Sequence, residues 1–135
     1  MAGLEITTAD FGTMGERFYG YAPALRCGDT VYVSGQTASA EEGEEDPPAD
    51  MEAQMRRAYA KVARALGVLG AGMGDVVDET LFVTDVATAG RVAGGVRHEA
   101  YGGRPRVAST LVEVSRLAGA GLLVEIKCTA RVAIT

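Results

Sequence analysis

The sequence predicts an α+β protein in which a single mixed β-sheet carries two helices on one face. Three patterns predict it: apolar alternation over 122–134, a helical apolar repeat over 50–70, and a strand–turn–strand pattern over 24–34. A period of two residues is that of a strand, whereas apolar spacings of three and four form one face of a helix. A helix between strands favours a parallel crossover and tight turns join antiparallel strands, so both pairings are expected.

The end of the chain is predicted to form a β-hairpin, with strands over 107–114 and 122–134 and a turn at 119–121. The even-numbered residues from Leu122 to Ile134 are all apolar, so this face should be buried. The other face places Glu125 among apolar, hydroxyl and cationic side chains. Glu125 is therefore the first candidate for chemistry, although an exposed carboxylate paired with Lys127 or Arg131 would give the same pattern.

The strongest helix candidate spans residues 50–70. Asp50 can cap its start, and its apolar side chains share one face. The basic opposite face and the acidic, proline-containing loop of residues 39–50 are each expected to be solvated. A strand-like run at 81–83 separates this helix from a second, glycine-weakened one at 88–101, and a first strand is expected near Ile6. The apolar face of the first helix comprises Met51, Met55, Tyr59, Val62, Leu66 and Leu69.

Composition limits the possible classes. A chain of 135 residues is expected to form one domain over 1–135. Its net charge of −5 argues against nucleic acid as a partner. The sequence contains no run of eighteen apolar residues, so no membrane span is expected. It also shows no export signal, which favours the cytoplasm. Cys27 and Cys128 are too few and too far apart for a metal motif.

Three segments of the chain are informative when they are taken together and in order: residues 21–24 with 31–36, 74–77 with 81–85, and 112–117 with 124–126. As an ordered set they resemble the Rid (YjgF) family. The resemblance implies a chorismate-mutase-like fold and a homotrimer with a central barrel, with small-molecule sites in the clefts between subunits. The family's best-studied members hydrolyse reactive enamines and imines to 2-oxo acids and ammonia, and the resemblance implies no cofactor or metal.

The resemblance assigns site residues one at a time. The tyrosine that closes the family's site matches Tyr21, although a loop anchor is the alternative. The glutamate that serves water and proton transfer matches Glu125, whose pKa burial would raise and Lys127 could lower. Ser34 and Gly35 are expected at the cleft, with Gly35 permitting close backbone approach; a plain strand end is the alternative.

One family residue is replaced. Ser109 occupies the position of the arginine that holds the substrate carboxylate in the family. Arg104 and Arg106 lie upstream, and a shifted loop would be needed to bring either guanidinium into the cleft. An arginine fork binds a carboxylate through two charge-assisted hydrogen bonds, whereas a serine hydroxyl donates one and neutralises no charge. Ser109 therefore argues against a 2-imino acid as the main substrate, but not against imine hydrolysis.

Three functions follow as hypotheses. The first is an imine or enamine hydrolase (a deaminase) acting on a non-standard small molecule with help from Glu125. The second is a non-catalytic trimer that binds a small ligand. The third is a biosynthetic acid–base enzyme, a tautomerase or cyclase, that uses the same fold and the same glutamate.

Overall fold

One six-stranded mixed sheet runs through the computed structural model, which describes residues 3–133. Its strand order is β1-β2-β3-β6-β4-β5. Among the strands of the described residues, only β4 and β5 pair in parallel; the other neighbours are antiparallel. The predicted α+β class and the mixed sheet are thus confirmed. The elements are β1 (Ile6–Thr8), α1 (Met14–Tyr19), β2 (Ala24–Cys27), β3 (Thr30–Thr37), α2 (Met51–Val68), β4 (Val76–Val83), α3 (Val86–Tyr101), β5 (Ala108–Glu113) and β6 (Val124–Arg131), with a 3₁₀ turn at Met73–Asp75.

The predicted hairpin between the last two strands is wrong. β4 lies between β5 and β6 and pairs with both. The crossover through α3 makes β5 parallel to β4 and leaves it at the edge of the sheet, so residues 114–123 must carry the chain past β4 to reach β6. The predicted hairpin of β2 and β3 is confirmed.

The two long helices pack on the same face of the sheet. Asp50 caps α2 by accepting from the Ala53 N–H (3.1 Å), and the predicted apolar face of α2 is buried. Asp85 caps α3, which therefore begins two residues before the predicted start at Thr88. The core includes Met55, Leu66, Val31, Val33, Leu81, Val83, Val124 and Ile126.

The alternation along β6 is confirmed from Leu122 to Ala130, whose even-numbered side chains are buried. The prediction is wrong for Val132, which is only partly buried because the strand ends at Arg131, and the expected burial of Ile134 lies outside the described residues. The third helix, α1, was not predicted. It starts with a capping box in which Thr13 and Glu16 satisfy each other's backbone N–H groups, a signal present in the sequence. Across residues 3–133, no helix is long and apolar enough to span a membrane.

Candidate functional site

A cleft of about 1240 Å³ opens between α1, the end of β3, the acidic loop and the middle of α2. Four of the predicted site residues line it: Tyr21, Ser34, Gly35 and Glu125. Among the described residues that line the cleft, neither Ser109 nor Arg106 occurs. One chain therefore brings together part of the predicted constellation, whose role in binding or catalysis stays a prediction.

Glu125 enters the cleft at an irregularity of the sheet. It pairs with Thr37 of β3 on one side and Phe82 of β4 on the other. The β3–β6 register shifts between Val33 and Gln36, so the backbone around Gly35 bulges beside the glutamate. A β-carbon on Gly35 would lie 2.6 Å from the carboxyl carbon of Glu125. The glycine is thus required by the position of the carboxyl group.

The electrostatics of Glu125 differ from those of a paired surface glutamate. Burial raises the pKa of its carboxyl group, and no cation offsets that effect. Lys127 is exposed, and Arg131 binds Asp29 instead (2.5 Å). A carboxyl group with a raised pKa exchanges protons closer to neutral pH than a free glutamate does, which suits acid–base chemistry.

Tyr21 stands at the edge of the cleft with 46% of its surface exposed. Partial burial, and then the charge of Glu16, raise the pKa of its phenol, so the hydroxyl stays protonated at neutral pH. Its backbone N–H donates to the carbonyl of Glu16 at the end of α1 (3.2 Å). The residue is therefore both an anchor for α1 and a neutral hydrogen-bonding group facing the cleft.

Ser34 joins β3 to the segment that carries Tyr21. Its hydroxyl donates to the carbonyl of Ala22 (2.6 Å), and its N–H donates to the carbonyl of Pro23 (2.9 Å). The hydroxyl proton is therefore engaged, and only the oxygen lone pairs are free to meet a ligand.

Ser109 does not face Glu125. It pairs with Glu79 across β4 and β5, on the face covered by helices, whereas Glu125 lies on the opposite face. Its hydroxyl donates to Oε2 of Glu79 (2.6 Å), so the proton that was predicted to hydrogen-bond a ligand is already engaged within the protein. The parallel register of β5, which sequence patterns did not reveal, causes this placement.

Glu79 is the centre of a buried polar cluster that sequence analysis missed. It has no exposed surface and accepts hydrogen bonds from Tyr59 (2.7 Å), Tyr101 (2.6 Å), Arg97 (2.6 Å) and Ser109. Burial, together with the charge and hydrogen bond of Glu79, raises the pKa of both phenols, which remain protonated. The available signal was the position of Glu79 in phase with the buried Leu81 and Val83 of β4.

Arg104 and Arg106 lie in the loop before β5, and both are exposed. The shifted loop that would bring one of them to the cleft does not occur within this chain. Any role for Arg106 in binding a ligand stays a prediction.

The basic face of α2 and the acidic loop were each predicted to be solvated. This prediction is wrong where the loop lies against α2, because the two segments form ion pairs there. Glu41 binds Arg64 (2.8 Å), while Glu44 binds Lys61 (3.1 Å) and Arg57 (3.3 Å). Lys61 is only 7% exposed. Opposite charges some twenty residues apart meet here because the loop folds back over α2, a long-range contact that local patterning cannot show.

Comparisons with known proteins agree with this architecture. The sequence model of a family described as endoribonuclease L-PSP matches residues 16–132. The RutC family protein YjgH of Escherichia coli K12 is 35% identical over 112 residues, covering 83% of this chain and 82% of that protein. The crystal structure of Rv2704 from Mycobacterium tuberculosis, a member of the YjgF/YER057c/UK114 family, is 37% identical. It superposes with a TM-score of 0.83 over 95% of this chain and 100% of that one.

A third relative carries the name RidA. Its crystal structure, from an Antarctic Psychrobacter species, shares 26% identity with a TM-score of 0.74 and covers 93% of each chain.

Proposed function

Because this chain belongs to the Rid (YjgF) family, we propose that it is a cofactor-independent imine or enamine hydrolase in which Glu125 activates water. The observation that carries the proposal is the partly buried carboxyl group of Glu125, seated against Gly35 in a large cleft, with burial raising its pKa. The neutral phenol of Tyr21 lines the same cleft and can hydrogen-bond a ligand.

The reaction needs only water and proton transfers. The protonated Glu125 carboxyl group first gives its proton to the β-carbon of an enamine or to the nitrogen of an imine, and either substrate becomes an iminium ion. The Glu125 carboxylate then takes a proton from water as the water oxygen bonds to the iminium carbon, which gives a carbinolamine. The proton on Glu125 passes to the carbinolamine nitrogen, the C–N bond breaks as the C=O bond forms, and the hydroxyl proton returns to Glu125. The imine and one water thus become a carbonyl compound and an amine or ammonia.

The proposed substrate lacks a carboxylate. The hydroxyl proton of Ser109 is donated to Glu79, so Ser109 offers no donor to an anion in this chain. Of the charged side chains that line the cleft within residues 3–133, three are basic and five are acidic. This balance disfavours an anionic ligand and favours a neutral or cationic imine.

The proposal includes a cytoplasmic homotrimer with ligand clefts between subunits. The sheet face opposite the two long helices supports it, because Tyr32 on that face is 49% exposed and Lys127 is exposed as well. An RNA-cleaving role, which the family description names, is disfavoured by the net charge of −5.

Two substrates test the reaction. The first is the 2-imino acid released when a dehydratase acts on serine, followed by semicarbazone formation; the second is N-benzylidene-methylamine, followed by release of benzaldehyde. We expect the protein to accelerate loss of the second, carboxylate-free imine, and Glu125→Gln to lower that rate by about a hundredfold or more.

Glu42→Gln, which changes another carboxylate of the same cleft, serves as the control and should keep the rate. Absence of acceleration with both imines, or full activity in Glu125→Gln, would overturn the proposed hydrolase. A bound but unconverted imine would instead identify a ligand-binding protein.

A further inference from the structure

Two cations of α2 face the cleft in a position to hold an anion. Lys61 and Arg64 lie one helical turn apart and line the same cleft as Glu125. Lys61 is nine-tenths buried, whereas 44% of the Arg64 side chain is exposed. A buried ammonium beside an accessible guanidinium is an arrangement that binds carboxylates well.

Carboxylates of the protein itself already form ion pairs with these cations. Glu41 lies 2.8 Å from Arg64 and 3.7 Å from Lys61, and Glu44 lies 3.1 Å from Lys61. The N–H of Glu41 donates to Glu44 (2.8 Å), and this bond, followed by Lys61, lowers the pKa of Glu44 to about 2. The carboxylate of Glu44 therefore stays ionised across the physiological range.

The loop that carries them is held against α2 mainly by side chains of the helix. The Arg57 guanidinium donates to the carbonyls of Glu45 (2.7 Å) and Asp46 (3.2 Å), and Lys61 donates to the carbonyl of Ser39. Within the loop, one backbone bond closes a turn from Glu44 N–H to the Glu41 carbonyl (2.9 Å). The carboxylates are thus tethered at a high effective concentration beside the cations.

We infer that Glu41 and Glu44 are internal occupants of an anion site formed by Arg64 and Lys61, and that they exclude carboxylate ligands from the cleft. The inference deepens the proposed function, since it rests on this cleft being the ligand site and assigns its selectivity for uncharged or cationic imines. A free carboxylate must displace a tethered one to reach the cations, and it meets the charge of Glu125 in the same cleft. Glu41 and Glu44 are therefore specificity-determining residues rather than a solvated loop.

The test compares two double variants that change the net charge equally. Glu41→Gln with Glu44→Gln frees the cations. Glu42→Gln with Glu45→Gln removes two charges from the same loop, but neither of these carboxylates pairs with α2 within the described residues. Butanoate and its uncharged analogue butanamide are titrated into each folded protein and followed by NMR.

We expect the first double variant to bind butanoate about tenfold or more tightly than the wild-type protein, with shifts centred on Lys61 and Arg64. Butanamide should bind all three proteins alike, and adding Arg64→Gln should abolish the gain. An equal gain in the control double variant, or wild-type binding of butanoate as tight as that of the first double variant, would overturn the inference. If the first double variant does not fold, Glu41→Gln alone is titrated, with Glu42→Gln as its control.

The titration reads binding without turnover, so it separates the two proposals. Loss of imine hydrolysis with the expected butanoate gain would leave the anion site in place and remove only the hydrolase. Imine hydrolysis without any gain in butanoate binding would leave the hydrolase in place and remove the anion site.

Discussion

The carboxyl carbon of Glu125 lies 2.6 Å from the position that a β-carbon on Gly35 would occupy, and Cγ of Glu125 lies 2.8 Å from the same point. Gly35 therefore leaves the space in which Glu125 rests. Glutamate is flexible beyond its β-carbon, so a small intrusion at residue 35 moves the carboxyl group rather than the sheet. The position of the Glu125 carboxyl group is thus set by a neighbouring strand.

Gly35→Ala should separate activity from stability. The added methyl group displaces the Glu125 carboxyl, and a misplacement of about 1 Å can lower turnover by about a hundredfold. Unfolding midpoints in urea should change little, because alanine restricts the unfolded chain. Gly67→Ala is the control: it lies in α2 with open space around it, and should stabilise the protein by up to about 1 kcal/mol without affecting turnover. Full activity in Gly35→Ala would contradict the placement of Glu125.

Glu125→Gln should change how stability depends on pH. Burial raises the pKa of Glu125 in the folded protein above its value in the unfolded chain, so the folded state holds the proton more tightly. Between these two pKa values the free energy of unfolding falls as pH rises, and the loss is complete above the folded pKa. The glutamine variant should therefore be more stable than the wild-type protein at pH 8, and this gain should vanish near pH 4. Urea unfolding at both pH values measures this difference in the free energy of unfolding. A difference that stays constant with pH would contradict the raised pKa of Glu125.

Ser109→Ala should weaken the fold through Glu79. The substitution removes one of four donors to a carboxylate with no exposed surface, and a hydrogen bond to a charged group contributes about 1.5–3 kcal/mol. We expect a loss near the lower figure, since three donors remain. Ser115→Ala, on an exposed residue after β5, is the control and should stay within about 0.5 kcal/mol of wild type. An unchanged urea midpoint in Ser109→Ala would show that this bond contributes nothing to stability.

Tyr32→Glu should dissociate the proposed trimer. Tyr32 projects from the uncovered sheet face, and an unpaired charge buried between subunits would be strongly unfavourable. Sedimentation should show a trimer for the wild-type protein and a smaller species for the variant. Val68→Glu places the same charge on an exposed residue at the end of α2 and should leave the sedimentation unchanged. A monomeric wild-type protein would remove the inter-subunit cleft from the proposal.

Sequence patterns predicted the elements whose signals are local. The alternation of β6 and the apolar stripe of α2 were read correctly because each reports one element facing one core. The pairing of β5 was predicted wrongly, because the partner and register of a strand depend on the crossover connection and not on the strand's own pattern. The same limit applies to Ser109, whose direction is fixed by its parallel partner Glu79.

Within the candidate site, the alternation of the last strand and the family resemblance selected Glu125, and the resemblance placed Gly35 at the cleft. Neither showed the contact between the two residues, which depends on the β-bulge. The ion pairs of Glu41 and Glu44 were missed for a related reason. Two oppositely charged segments each look solvated until the fold brings them together.

The edge position of β5 has a consequence for motion. All six of its residues are exposed in the single chain, so burial contributes little to keeping it in place. Its attachment depends on the ladder to β4, on the side-chain bond from Ser109 to Glu79, and on the bond that Glu113 accepts from the Val86 N–H (3.0 Å). Amide protons of β5 should therefore exchange with solvent well before those of β6, which is paired on both sides. A subunit that docked against this edge would slow that exchange first.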